Sequence, residues 1–129
     1  MLTVLVLAVC CSTARAQVDT NVVTALLESL SSGDADALAA LAGDRMEIGV
    51  FGAAELYSVP QARRVMGRFF EDHPPARVSM GETSATDTGW YATVRYGTEH
   101  GETLRMYVRL RFAGDRWLLR EIVIPEGRS

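Results

Sequence analysis

From Arg77 to Ile124 the chain alternates apolar and polar residues with few breaks, the main ones at Asp87-Thr88-Gly89, Glu99-His100-Gly101 and Gly114-Asp115. A side-chain period of two, broken by short glycine-bearing turns, is the pattern of an antiparallel meander. It predicts strands over about 77–86, 90–98, 102–113 and 116–124. Register follows from matching apolar residues. A three-residue loop with Gly101 in the left-handed position sets Thr98 opposite Glu102. Trp90, Ala92, Val94 and Tyr96 then oppose Leu110, Val108, Met106 and Leu104. A two-residue loop would pair the same side chains with Arg111, Arg109, Tyr107 and Arg105, and is rejected because a slip of one residue exchanges the two faces. Gly114-Asp115 as a two-residue turn sets Phe112 opposite Trp117, Leu110 opposite Leu119, Val108 opposite Glu121 and Met106 opposite Val123. Strict alternation therefore puts Glu121 mid-strand on the apolar face.

The first half reads as helices. Val22, Val23, Leu26, Leu27 and Leu30 mark one face of a helix over about 20–31, capped by Asp19 and stopped by Gly33. Asp34 caps a shorter helix, about 35–42, with Leu38 and Leu41 inward and Gly43 as terminator. Met46, Ile48 and Val50 alternate as a strand, and residues 54–57 return as a second. Ser58 caps a third helix, Pro60 suits its first turn, and Ala62, Val65, Met66, Phe69 and Phe70 form its buried stripe. Asp72-His73-Pro74-Pro75 ends it as a rigid linker.

Residues 2–9, LTVLVLAV, followed by Ala14-Arg15-Ala16, read as a secretory signal over 1–16 with cleavage before Gln17. The apolar run is too short for a membrane span. Acylation of Cys10 or Cys11 is disfavoured, because Val9 or Cys10 stands where a small residue normally precedes a lipidated cysteine. Cleavage leaves 113 residues, 17–129, the size of one domain. It also removes both cysteines, so the remainder carries no disulfide, thiol nucleophile or cysteine-based zinc site. Twelve arginines and no lysine then face sixteen acidic residues, a balance that argues against nucleic-acid binding.

The order ααββαββββ is the plan of the nuclear transport factor 2-like fold, an α+β cone whose N-terminal helices pack on the concave face of a curved, mostly antiparallel sheet. The segments GDADALAALAGDRMEIGV, YSVPQARRVMGRFFEDHPP and HGETLRMYVRLRFAGDRWLLREIVI resemble the small exported bacterial proteins grouped as domain of unknown function 4783. The resemblance covers about 18–124, most specifically Tyr57-Ser58, Gln61-Ala62, Phe69-Phe70 and the final strand with Leu119, Glu121 and Ile122. It implies the fold and an exported setting but no reaction. The wider superfamily contains isomerases, dehydratases, binding modules and dimerisation domains.

Known enzymes on this cone use an interior Asp, His or Tyr. His73 in the linker and His100 at a hairpin tip are read as solvated, their separation argues against a histidine metal site, and no phosphate loop or nucleophile elbow is present. No catalytic residue, metal ligand or cofactor is assigned. Glu121 stands out as a carboxylate in a pocket lined by Tyr57, Trp90, Tyr96, Val108, Trp117 and Leu119. It would bind a small apolar or cationic ligand, or act as a base of raised pKa. The structural reading, which is preferred, has it hydrogen-bonded by Tyr57 or Tyr96 or paired with Arg63 or Arg64, since an unpaired buried carboxylate costs several kcal/mol. The opposite face carries Tyr91, Arg95, Arg105, Tyr107, Arg109, Arg120 and Ile122, with Leu118 and Ile124, a composition suited to a homodimer interface. The favoured expectation is a non-catalytic binding or assembly module, exported to the periplasm or beyond and dimeric through its sheet. The alternatives are an isomerase or dehydratase using Glu121, and a structural partner in an envelope complex.

Overall fold

A computed structural model of the protein describes residues 17–127, and the signal reading over 1–16 lies outside them. Asp19 accepts a 2.9 Å hydrogen bond from the Asn21 amide and opens α1, Thr20–Ser32, which Gly33 closes at a φ of 65°. Asp34 caps α2, Ala35–Ala40, by accepting from the Ala37 amide at 3.0 Å. After β1 (Arg45–Val50) and β2 (Glu55–Ser58), Ser58 stands at the N-terminus of α3, Val59–Asp72, its amide donating to Gln61 Oε1 at 3.1 Å. β3 (Pro75–Ala85), β4 (Gly89–Thr98), β5 (Thr103–Ala113) and β6 (Arg116–Ile124) complete the chain. The linker before β3 is shorter than its four residues suggest, because Asp72 ends the helix and Pro75 begins the strand.

The six strands form one sheet in the order β2-β1-β6-β5-β4-β3. All neighbours are antiparallel except β1 and β6, which run parallel. The last strand is therefore an interior strand. The three helices cover one face, where Leu26, Leu30, Leu38, Met66 and Phe69 meet Met46, Ile48, Tyr96, Met106 and Leu110 in a single buried cluster.

The β4–β5 hairpin has the predicted register, with Trp90 opposite Leu110 and Tyr96 opposite Leu104, and Gly101 takes a φ of 87° in its turn. The β5–β6 hairpin begins as predicted, with Phe112 opposite Trp117 and Leu110 opposite Leu119. It then departs. Arg109 lies opposite Glu121 and Val108 opposite Ile122, so Arg120 is an extra residue in β6, a β-bulge. The bulge reverses the inward set from that point on. Ile122 and Ile124 enter the core at 0% exposure, while Glu121 leaves it. The expectation of Glu121 on the inner face, and of Ile122 and Ile124 on the outer one, is corrected. The physical reason is the cost of burying a carboxylate beside two exposed isoleucines, which one inserted residue removes.

This register predicts opposite outcomes for neighbouring substitutions. Ile122→Ala should destabilise the protein by about 2–5 kcal/mol. Glu121→Ala should stay within about 1 kcal/mol of the parent. Chemical denaturation of both variants checks the order, and strict alternation would reverse it.

Candidate functional site

The bulge places Glu121 in a lateral row across the outer face. Register pairs Leu56 with Glu47, Glu47 with Glu121, Glu121 with Arg109, and Arg109 with Tyr91. Arg109 Nε lies 3.9 Å from Glu121 Oε1, both side chains being partly exposed. The Glu121 carboxyl is pushed above the usual carboxylate range, chiefly by partial burial and by the Glu47 carboxyl beside it, with Arg109 pulling in the opposite direction. A shallow cleft of about 230 Å³ opens here, lined in part by Tyr91, Thr93, Tyr107, Arg109 and Glu121.

The other residues of the expected pocket are not brought to Glu121. Trp90, Tyr96, Val108, Trp117 and Leu119 are all under 7% exposed and packed in the core on the opposite face. Tyr57 lies on edge strand β2, and its hydroxyl donates to Glu55 Oε2 at 3.0 Å, which raises its pKa. The buried Tyr96 hydroxyl donates to the His73 carbonyl, and burial pushes the phenol above its ordinary range. Trp117 Nε1 donates to the Gln17 carbonyl at 2.9 Å. Arg63 pairs with Asp36 at 3.0 Å and not with Glu121. The aromatic residues thus tie chain segments together.

Of the expected interface, Tyr91, Arg95, Arg105, Tyr107 and Arg109 do share the outer face. Tyr91 and Tyr107 are 43% and 42% exposed, and Arg95 and Arg105 are direct cross-strand partners. Ile122 is withdrawn into the core. Arg120 is engaged within the chain, donating to Asp44 Oδ1 at 3.4 Å and to the Arg45 carbonyl at 3.2 Å. That contact holds the Asp44 carboxyl below its ordinary range.

A second concavity was not legible as a site. Between α3 and the end of β1 lies a groove of about 320 Å³ lined by Val50, Phe51, Arg64, Val65, Arg68, Phe69, Asp72 and His73. Phe51 has a φ of 56°, in the left-handed region that a phenylalanine adopts only at a cost of about 1–3 kcal/mol. His73, read from sequence as solvated, is half-buried, with its ring 5.4 Å from Phe51 and 5.1 Å from Phe69. The spacing of Arg64 and Arg68 on one helix side was the available signal; the bend at Phe51 that faces them has none. Among the described residues no group of three or more His, Cys, Asp or Glu side chains could hold a metal ion. Nor is any described helix long and apolar enough to cross a membrane.

Helices followed by a curved six-stranded sheet of this order define a nuclear transport factor 2-like α+β protein. Within that class the chain belongs to the family described as domain of unknown function (DUF4783), whose model matches residues 23–125. It is similar to a crystal structure of a DUF4783 family protein from Bacteroides ovatus ATCC 8483, at 16% identity and a TM-score of 0.75, covering 81% of this chain and 94% of that one. A family protein from Bacteroides uniformis ATCC 8492 matches at 14% identity and a TM-score of 0.74, over 82% of this chain and 97% of that one. An NTF2-like protein of unknown function from Shewanella baltica OS155 matches at 13% identity and a TM-score of 0.63, over 85% and 91%. At these identities the likeness is one of fold. No curated protein matches the chain.

The raised Glu121 carboxyl has a pH signature. A carboxyl whose folded pKa exceeds its unfolded value holds its proton more tightly when folded, so ionisation subtracts stability as pH rises. The loss is absent below the ordinary carboxylate range and complete above the raised value. Glu121→Gln should therefore melt a few degrees above the parent at neutral pH, and the gap should close on acidification through that window. Melting curves across pH check this; a parent that melts higher at neutral pH would assign Glu121 to a net stabilising pair with Arg109.

Proposed function

We propose that this protein is a non-catalytic assembly module that forms a homodimer through the outer face of its sheet. The observation that carries the reading is the patch of exposed tyrosines and arginines on β4 and β5. Arg95, Arg105, Arg109 and Arg111 stand on β4 and β5 around the exposed Tyr91 and Tyr107, and Glu47 and Glu121 stand on β1 and β6, strands that also carry Arg45, Arg116 and Arg120. A two-fold contact uses the same patch twice, so the arginines of one copy can meet Glu47 and Glu121 of the other. Arg95 directly opposite Arg105 is unfavourable in an isolated sheet and becomes favourable beneath a partner's carboxylates. Exposed tyrosines flanked by arginines supply contact area of the type that carries interface energy.

The export reading, with cleavage before Gln17 and a periplasmic or extracellular location, rests on the sequence of residues 1–16. The isomerase or dehydratase reading needed Glu121 within the cone. The carboxylate lies on the other side of the sheet, so that reading loses the residue on which it rested.

Light scattering coupled to size exclusion tests the dimer. The parent should run as a dimer at micromolar concentration and dissociate more readily at high salt. Tyr107→Glu combined with Arg105→Glu should shift the equilibrium to monomer by roughly a hundredfold or more. A parent that remains monomeric at high protein concentration defeats the proposal.

A further inference from the structure

We infer that the groove between α3 and the end of β1 binds a small amphiphilic monoanion, a carboxylate or sulfonate carried on an aromatic or apolar body. The apolar wall is formed by Phe51 and Phe69, whose ring centroids are 6.4 Å apart, with the His73 ring against both. Arg64 and Arg68 also line the groove, and residues four apart in a helix stand on the same side. Neither guanidinium has a hydrogen bond or ion pair among the described residues, whereas Arg63 on the same helix is paired with Asp36 at 3.0 Å. Asp72 is the carboxylate in the lining, so the groove carries two positive charges against one negative. That net charge suits a single anionic group, and the guanidinium fork suits carboxylate or sulfonate oxygens.

The volume of about 320 Å³ stands at the lower end of small-molecule sites, enough for a two-ring body or a short chain. Backbone geometry supports a built wall. Phe51 occupies a left-handed conformation, although Gly52 beside it would take that conformation without steric cost. The Phe51 amide is held by the Ile124 carbonyl at 2.8 Å, so the ring is presented by a tethered backbone. None of these residues belongs to the outer sheet face, and the inference is independent of the proposed dimer.

The test uses the purified protein and two fluorescent probes of similar body, 1-anilinonaphthalene-8-sulfonate and the uncharged N-phenyl-1-naphthylamine. The sulfonate should bind saturably at one site per chain. Arg64→Met with Arg68→Met should weaken it roughly tenfold while the uncharged probe changes by less than about threefold. Phe51→Ala should weaken both probes. Arg95→Met with Arg105→Met, on the outer face, should leave sulfonate affinity within about twofold of the parent. Circular dichroism and melting curves establish that each variant is folded, and the two exposed arginines make the first variant readable even if Phe51→Ala unfolds. Absence of saturable sulfonate binding overturns the inference. So does equal loss of both probes in the Arg64 and Arg68 variant, or a loss that instead follows Arg95 and Arg105.

Discussion

The structure turns on β6. This strand pairs antiparallel with β5 and parallel with β1, so it joins the β1–β2 pair to the C-terminal meander. It must therefore present an apolar face to the helices along its whole length while satisfying two different ladders. Trp117 and Leu119 supply that face at one end, and Ile122 and Ile124 at the other, three and five residues beyond Leu119. An even spacing would need no correction, but the step from 119 to 122 is odd, and the extra residue at Arg120 absorbs it. Arg120 then reaches Asp44 and the Arg45 carbonyl, fastening the bulge to the start of β1. Without the bulge the parallel match of Ile48 with Ile122 and Val50 with Ile124 would put one partner of each pair on the wrong face.

Most of the architecture was legible because it rests on local rules. Asp19 and Asp34 cap their helices, Gly33 and Gly43 take left-handed φ values, and Gly101 and Gly114 turn the hairpins whose apolar residues meet as expected. What escaped was non-local. Strict alternation cannot report a bulge, although the residues Leu119-Arg120-Glu121-Ile122 contain its trace: two charged side chains side by side between two aliphatic ones. The interior place of β6 and its parallel pairing with β1 are also properties of the assembled sheet. The candidate pocket failed with the register, since its carboxylate moved to the opposite face and its remaining core members are filled packing positions.

The outer face and the α3 groove divide the surface into two different kinds of chemistry. On the sheet, charges of both signs are spread over several strands, an arrangement that can read another broad surface. In the groove, two arginines with no partner among the described residues stand beside three rings in a small volume, an arrangement that can read one group on one small body. The core between them is continuous, from Leu26 and Leu30 through Met66 and Phe69 to Met106 and Leu119. The Tyr96 hydroxyl on the His73 carbonyl links the sheet interior to the helix end that borders the groove.

The interior position of β6 also sets the order in which the chain can close. During synthesis α1, α2, β1, β2 and α3 emerge first, but β1 lacks its parallel neighbour until residue 124 has been made. Trp117 reaches back across 100 residues to the Gln17 carbonyl, a contact available only when both ends are present. Such long-range closure slows folding and leaves the N-terminal part without its full core until the end. The placement of β6 thereby makes both halves of the sheet depend on the strand that is made after all the others.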